Sequence, residues 1–138
     1  MWRKLSPIET AFSYRKPSWE EWVTGTRKEI GDFWEDRARE FLEGKGYRLI
    51  ERNWRSRTGE IDLVCQNGDT LVFVEVRFRR KGALVEAGVS LTGKKLSRLR
   101  CSISAYMASK GLPMDTPWRL DAVLIDGQDM ELVENITG

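Results

Sequence analysis

Apolar residues recur at helical spacing from about Thr26 onward: Ile30, Phe33, Trp34, Ala38, Phe41 and Leu42 fall on one side, and Gly44 and Gly46 supply a stop. The pattern predicts an amphipathic helix. Over residues 47–54 the period shortens, with Tyr47 and Leu49 alternating against Arg48 and Ile50, so a strand should lead into the polar turn at residues 55–59. Two β-rich runs follow, residues 60–65 and 71–78, separated by Gln66-Asn67-Gly68-Asp69-Thr70, a hairpin signal that predicts antiparallel pairing. Residues 82–88 read as a loop. Thr92 can then cap a second helix whose apolar positions are Leu96, Leu99, Ile103, Tyr106 and Met107, ending before Gly111 and Pro113. Residues 118–125 and 130–133 read as a last pair of strands around Asp126-Gly127-Gln128-Asp129. Helix, three strands, helix, two strands is the order of an α/β fold, a mixed β-sheet flanked by helices.

Residues 1–24 break this regularity. They hold Pro7, Pro17 and three of the six tryptophans without sustained periodicity, and read as an N-terminal extension tied down by aromatic anchors, ahead of a single domain over residues 25–138. No apolar run approaches the roughly 20 residues of a membrane span, and the N-terminus lacks an apolar signal core, so a cytoplasmic protein with no membrane partner is expected. Cys65 and Cys101 form no Cys-x-x-Cys pair, and each pattern suits a small buried hydrophobe.

Composition narrows the chemistry. The chain has no histidine, which excludes Ser-His-Asp and Cys-His nucleophile systems, an imidazole base and imidazole-ligated metals. Any catalysis must rest on carboxylates, lysines, hydroxyls or a hard cation. The net charge of +2 conceals an asymmetry: from Arg52 to Arg100 there are eleven Lys/Arg against five Asp/Glu, whereas from Asp121 onward there are five acids and no basic residue. A basic centre beside an acidic tail points to a polyanionic partner, although an ordinary solvated surface would look similar.

The hairpin concentrates the candidate chemistry. Glu60, Asp62 and Val64 share one face of their strand, and Leu71, Phe73, Glu75 and Arg77 share one face of the next. A four-residue loop at residues 67–70 would set Asp62 directly opposite Glu75, while a tight turn on Asn67-Gly68 would set them on a diagonal. Two carboxylates roughly 5 Å apart favour a shared proton or a divalent cation between them, magnesium being the natural candidate. The apolar neighbours of Glu75 on both faces mark its strand as central, where a lone carboxylate is costly. The spacing leaves two readings open, a metal site and an ion pair from Glu75 to a neighbouring arginine. Glu35, at the edge of the first helix's apolar stripe, can reach a sheet-borne site, whereas Asp36, Glu40 and Glu43 point more toward solvent.

Gly59-Glu60-Ile61-Asp62-Leu63-Val64 and Phe73-Val74-Glu75-Val76-Arg77 resemble the signature of the YraN family of uncharacterised bacterial proteins, related to Holliday-junction resolvases and the restriction-endonuclease-like fold. Glu35-x-x-Ala38, Gly46-Tyr47, Asn53, the Lys95-bearing helix and Arg119-Leu120-Asp121 fall in family order, so the resemblance spans about residues 30–134. It implies a nuclease-like domain in which Asp62, Glu75 and Glu35 coordinate or orient one or two magnesium or manganese ions for water attack on a phosphodiester. The superfamily's lysine, two residues after the glutamate, is replaced here by Arg77, which keeps the charge but does not serve as a base. Lys95, with Arg98 one turn away, could stand in as a phosphate contact; the plainer alternative is a solvent-facing lysine.

Three functions compete on this reading. One is a magnesium-dependent endonuclease or resolvase on DNA, branched structures included, with Arg57, Arg77, Arg79, Arg80 and Lys81 contacting phosphates and a homodimer as in related resolvases. Another is a non-catalytic DNA-binding module that keeps the fold and the basic surface. The last is a protein-interaction adaptor whose ligand docks on the tryptophan-rich segment at residues 1–24.

Overall fold

The computed structural model describes residues 27–79, 93–126 and 129–137, with the backbone alone at 27, 28, 30, 78 and 79. The extension at 1–24, the 82–88 loop, Thr92, Arg80, Lys81 and the Arg79 side chain lie outside the described residues. Helix α1 (Arg27–Gly44) is followed by strands β1 (Arg48–Ser56), β2 (Gly59–Asn67) and β3 (Thr70–Arg79), helix α2 (Gly93–Ser109), and strands β4 (Trp118–Asp126) and β5 (Asp129–Val133). This is the expected order.

Both helices end in the same way, for the same physical reason. At the end of α1, Tyr47 N donates to Leu42 O and Gly46 N to Glu43 O, with Gly46 at a φ of 91°. After α2, Leu112 N donates to Met107 O and Gly111 N to Ala108 O, with Gly111 at a φ of 64°. These are Schellman closures, in which a left-handed glycine satisfies the last orphan carbonyls. They fix the directions in which β1 and β4 leave the helices.

The five strands form one sheet in sequence order, antiparallel except for the parallel β3–β4 pair that α2 connects. The middle strand is β3, and its side chains from Leu71 to Val76 are buried without exception, as a strand covered on both faces requires. On one face Trp34, Ala38 and Leu42 of α1 pack on Leu63, Cys65, Val72, Val74 and Val123. On the other, Leu99, Ile103 and Tyr106 of α2 pack on Val64, Phe73 and Leu120. β1 and β5 are the sheet's edges, and β1 carries a register shift between Leu49 and Glu51. Among the described residues no helix is long and apolar enough to cross a membrane.

Several expectations need correction. Cys65 is buried, its thiol pushed up to about 12 chiefly by desolvation, but Cys101 is exposed. The face α2 turns to the sheet is Leu99, Ser102, Ile103 and Tyr106, and position 101 lies across the helix from it. Asp36, although paired with Arg52, is more exposed than Glu35, and Glu43 is exposed, as expected, but the Glu40 side chain is as covered as that of Glu35. The polar run after Trp54 does not end β1, which continues to Ser56 and leaves Arg57 and Thr58 as the turn.

Candidate functional site: a carboxylate cluster between two helices

The hairpin register decides the site. The turn is tighter than a four-residue loop, with Asn67 and Thr70 paired around Gly68 and Asp69, yet the register is the one that sets Asp62 against Glu75. Pairing stops one step earlier, at Leu63 with Val74. Beyond that point the Asp62 carboxylate takes over, accepting a hydrogen bond from Val76 N at 2.8 Å. Its bond to the backbone thus fixes one carboxylate oxygen at the place where the two strands part.

Glu35 of α1 and Glu60 of β2 complete a cluster: one carboxylate oxygen from each of Glu35, Glu60 and Asp62 lies within 4.8 Å of the others. Three acids at this separation repel. The Asp62 carboxyl is held well above the usual carboxylate range, first by desolvation and then by the neighbouring Glu75, against which the Val76 amide works only in part. Glu35 is raised too, mainly by burial, with the Asn53 amide and Arg52 pulling the other way. Arg52 Nη2 stands 3.6 Å from Glu35 Oε1, and that oxygen has no hydrogen-bond partner among the described residues. Asn53 sits abreast of Asp62 in β1 with a φ of 55°, a left-handed backbone inside a strand of the kind that costs about 1–3 kcal/mol and clusters at functional sites.

Glu75 is treated differently. Only 5% exposed, it has Lys95 Nζ of α2 at 3.1 Å and Arg77 Nη1 at 4.0 Å from the same oxygen, Oε1. The ion pair considered from spacing is therefore present, but its nearest cation is Lys95. Two cavities open onto these residues and share Asp62, Glu75 and Lys95: one of about 400 Å³ toward α1, reaching Glu35 and Arg77, and one of about 270 Å³ toward α2, reaching Arg98. Arg57 is exposed on the β1–β2 turn, next to Thr58 on the rim of the smaller cavity.

Of the acids singled out in the sequence, Glu35, Asp62 and Glu75 come together, joined by Arg77, Lys95 and Arg98. Glu60 is the member that sequence reasoning left out of the site. The signal was available, since Glu60 shares a strand face with Asp62, but nothing in the sequence of a glutamate at a strand end beside a turn separates a site residue from a solvated one.

A mixed five-stranded sheet between two helices, with a carboxylate cluster on its central hairpin, defines an α/β protein with the arrangement of a nuclease-like fold. Residues 34–125 match the family described as "Uncharacterised protein family UPF0102", and the chain belongs to it. It is 44% identical over 103 residues to a UPF0102 protein of Roseiflexus castenholzii, covering 75% of this chain and 83% of that one. A UPF0102 protein of Enterobacter sp. (strain 638) is 40% identical over 114 residues, covering 82% and 87%. The UPF0102 protein YraN of Salmonella newport is 43% identical over 107 residues, covering 77% and 82%.

Proposed function

We propose that this protein is a divalent-cation-dependent phosphodiesterase acting on DNA in the cytoplasm, with Glu35, Glu60 and Asp62 holding the cation. The observation that carries this reading is the under-compensated cluster itself: three carboxylate oxygens within 4.8 Å, on residues that include Glu35, whose Oε1 is buried without a hydrogen-bond partner among the described residues. An all-oxygen, all-carboxylate donor set suits a hard cation, magnesium or manganese. When bound, such an ion supplies Lewis-acid polarisation of a phosphoryl oxygen and makes a water acidic enough to attack phosphorus.

The chain's own residues do the rest. The Val76 amide orients Asp62, and Arg52 with Asn53 holds Glu35 toward it. Lys95, drawn to Glu75, places an ammonium where charge builds on the phosphoryl group, and Arg77 offers a second cation to the strand's phosphates. Exposed Arg57 and Arg98 extend the positive surface, so DNA binding should weaken steeply with salt.

The test joins thermal unfolding to cleavage. Magnesium or manganese should raise the melting temperature of the wild type, by the equivalent of about 2.7 kcal/mol at a hundred times Kd, and not that of Asp62→Asn. Branched or single-stranded DNA should be cut with the cation and left intact by the variant. A wild type whose stability ignores both cations would sink the metal site. One observation favours a second reading, DNA binding without turnover: Arg77, at the superfamily's lysine position, cannot accept a proton. Cation-dependent stability and DNA binding with no product from any substrate would select it.

A further inference from the structure

The smaller cavity, between the β1–β2 turn and α2, has walls that the cation site does not need. Thr58 Oγ1 lies 3.0 Å from Ser102 Oγ of α2 and 2.8 Å from Ser56 Oγ, so a chain of hydroxyls latches the turn to the helix. Gly59 completes the closure: a β-carbon there would stand 3.4 Å from Ser102 Oγ, and its φ of 146° disfavours any side chain. Leu99 supplies an apolar wall. Lys95 and Arg98 bring positive charge from α2, opposite the carboxylates of Glu60, Asp62 and Glu75 that line the same cavity. Lys95 is engaged by Glu75, whereas Arg98 has no carboxylate partner among the described residues.

We propose that this cavity is a subsite for one unpaired nucleotide of the substrate strand, with Arg98 on its phosphate, next to the phosphate held by the cation at Glu35, Glu60 and Asp62 and by Lys95. The inference rests on the phosphodiesterase reading and adds the substrate class. A volume of about 270 Å³, walled on one side by the latched turn and on the other by a helix, admits a single nucleotide but not a stacked base pair. The floor is shared with the larger cavity through Asp62, Glu75 and Lys95, so a strand entering here continues across the carboxylates toward Arg77. Strand ends, flaps and the unpaired nucleotides of branch points meet that requirement. Intact duplex does not.

The experiment measures binding of one labelled oligonucleotide, single-stranded and as blunt duplex, to the full chain in calcium at several salt concentrations. The wild type should prefer the single strand. Arg98→Ala should weaken single-strand binding about tenfold and lower its log–log salt slope by about 0.7, leaving duplex affinity within about twofold. Arg98→Lys should restore the slope. Arg100→Ala, on an exposed arginine of the same helix that bonds to Thr137 O, should change neither. If Arg98→Ala weakens both substrates equally, or matches Arg100→Ala, the subsite is refuted while the phosphodiesterase reading stands. A wild type that binds neither DNA refutes both.

Discussion

Two aspartates of the same sheet, Asp62 on β2 and Asp121 on β4, receive opposite treatment. Asp121 has 0% exposure and a full set of partners: the Tyr47 hydroxyl donates at 2.9 Å, Arg119 Nε at 3.0 Å and Asn135 N at 2.8 Å. Arg119 also donates to the Tyr47 hydroxyl at 2.5 Å, which ties the start of β1 and the segment after β5 to one buried charge. Asp62 has the Val76 amide, and its other neighbours of note are three more carboxylates. A buried acid whose every partner is supplied by the protein serves the fold. One surrounded by like charge is stabilised only by something that arrives from outside.

The largest effect should come from removing the satisfied one. Asp121→Ala leaves the Tyr47 hydroxyl, the Asn135 amide and the Arg119 charge without their acceptor, and should lower unfolding free energy by about 3–5 kcal/mol in urea titrations. A loss below about 1 kcal/mol would erase the contrast. Asp62→Asn should move stability the other way, upward by about 1–2 kcal/mol at neutral pH without cations. The sign follows from the raised folded-state value: the unfolded Asp62 ionises first, so wild-type stability falls as pH climbs from the ordinary carboxylate range toward that value. The gap between variant and wild type should therefore vanish in acid and widen through neutrality. A pH-independent gap would assign the effect to packing instead. The smallest change is Tyr47→Phe, which removes one donor of several to Asp121 and should cost about 1 kcal/mol. Burial and the adjacent Asp121 raise the Tyr47 hydroxyl, so it stays protonated and donating throughout the accessible pH range.

The same contrast shows what the sequence could reveal. Element order, the centrality of β3 and the hairpin register were legible because they are local: periodicity reports faces, and a short turn constrains pairing across it. Asp62 and Glu75 could be brought together on paper for that reason. The Asp121 network could not, since Tyr47 and Asp121 are 74 residues apart and meet only because β4 lies parallel to β3 on the face that α1 covers. Lys95 reaches Glu75 from a helix whose position depends on the same crossover. Glu60 was hidden by an ambiguity of another kind, because a glutamate at a strand end looks alike whether it faces water or two other acids. Cys101 was misread because its neighbours Leu99 and Ile103 are apolar; two residues along a helix is nearly opposite, not adjacent.

Among the described residues β1 and β5 border the sheet, with a consequence for self-association. β5 presents exposed Asp129 and Glu131 along its outer side, and β1 presents exposed Arg48 and Arg55 together with the register shift at Leu49 and Glu51. Charge on a short border strand and an irregular backbone on the long one each obstruct the docking of a foreign strand, which would otherwise find free amides and carbonyls to template aggregation. Like borders repel, acidic against acidic and basic against basic, so β1–β1 and β5–β5 stacking of identical molecules is disfavoured at low ionic strength and regains some ground as salt screens those charges, whereas for β1 against β5 the sign is reversed.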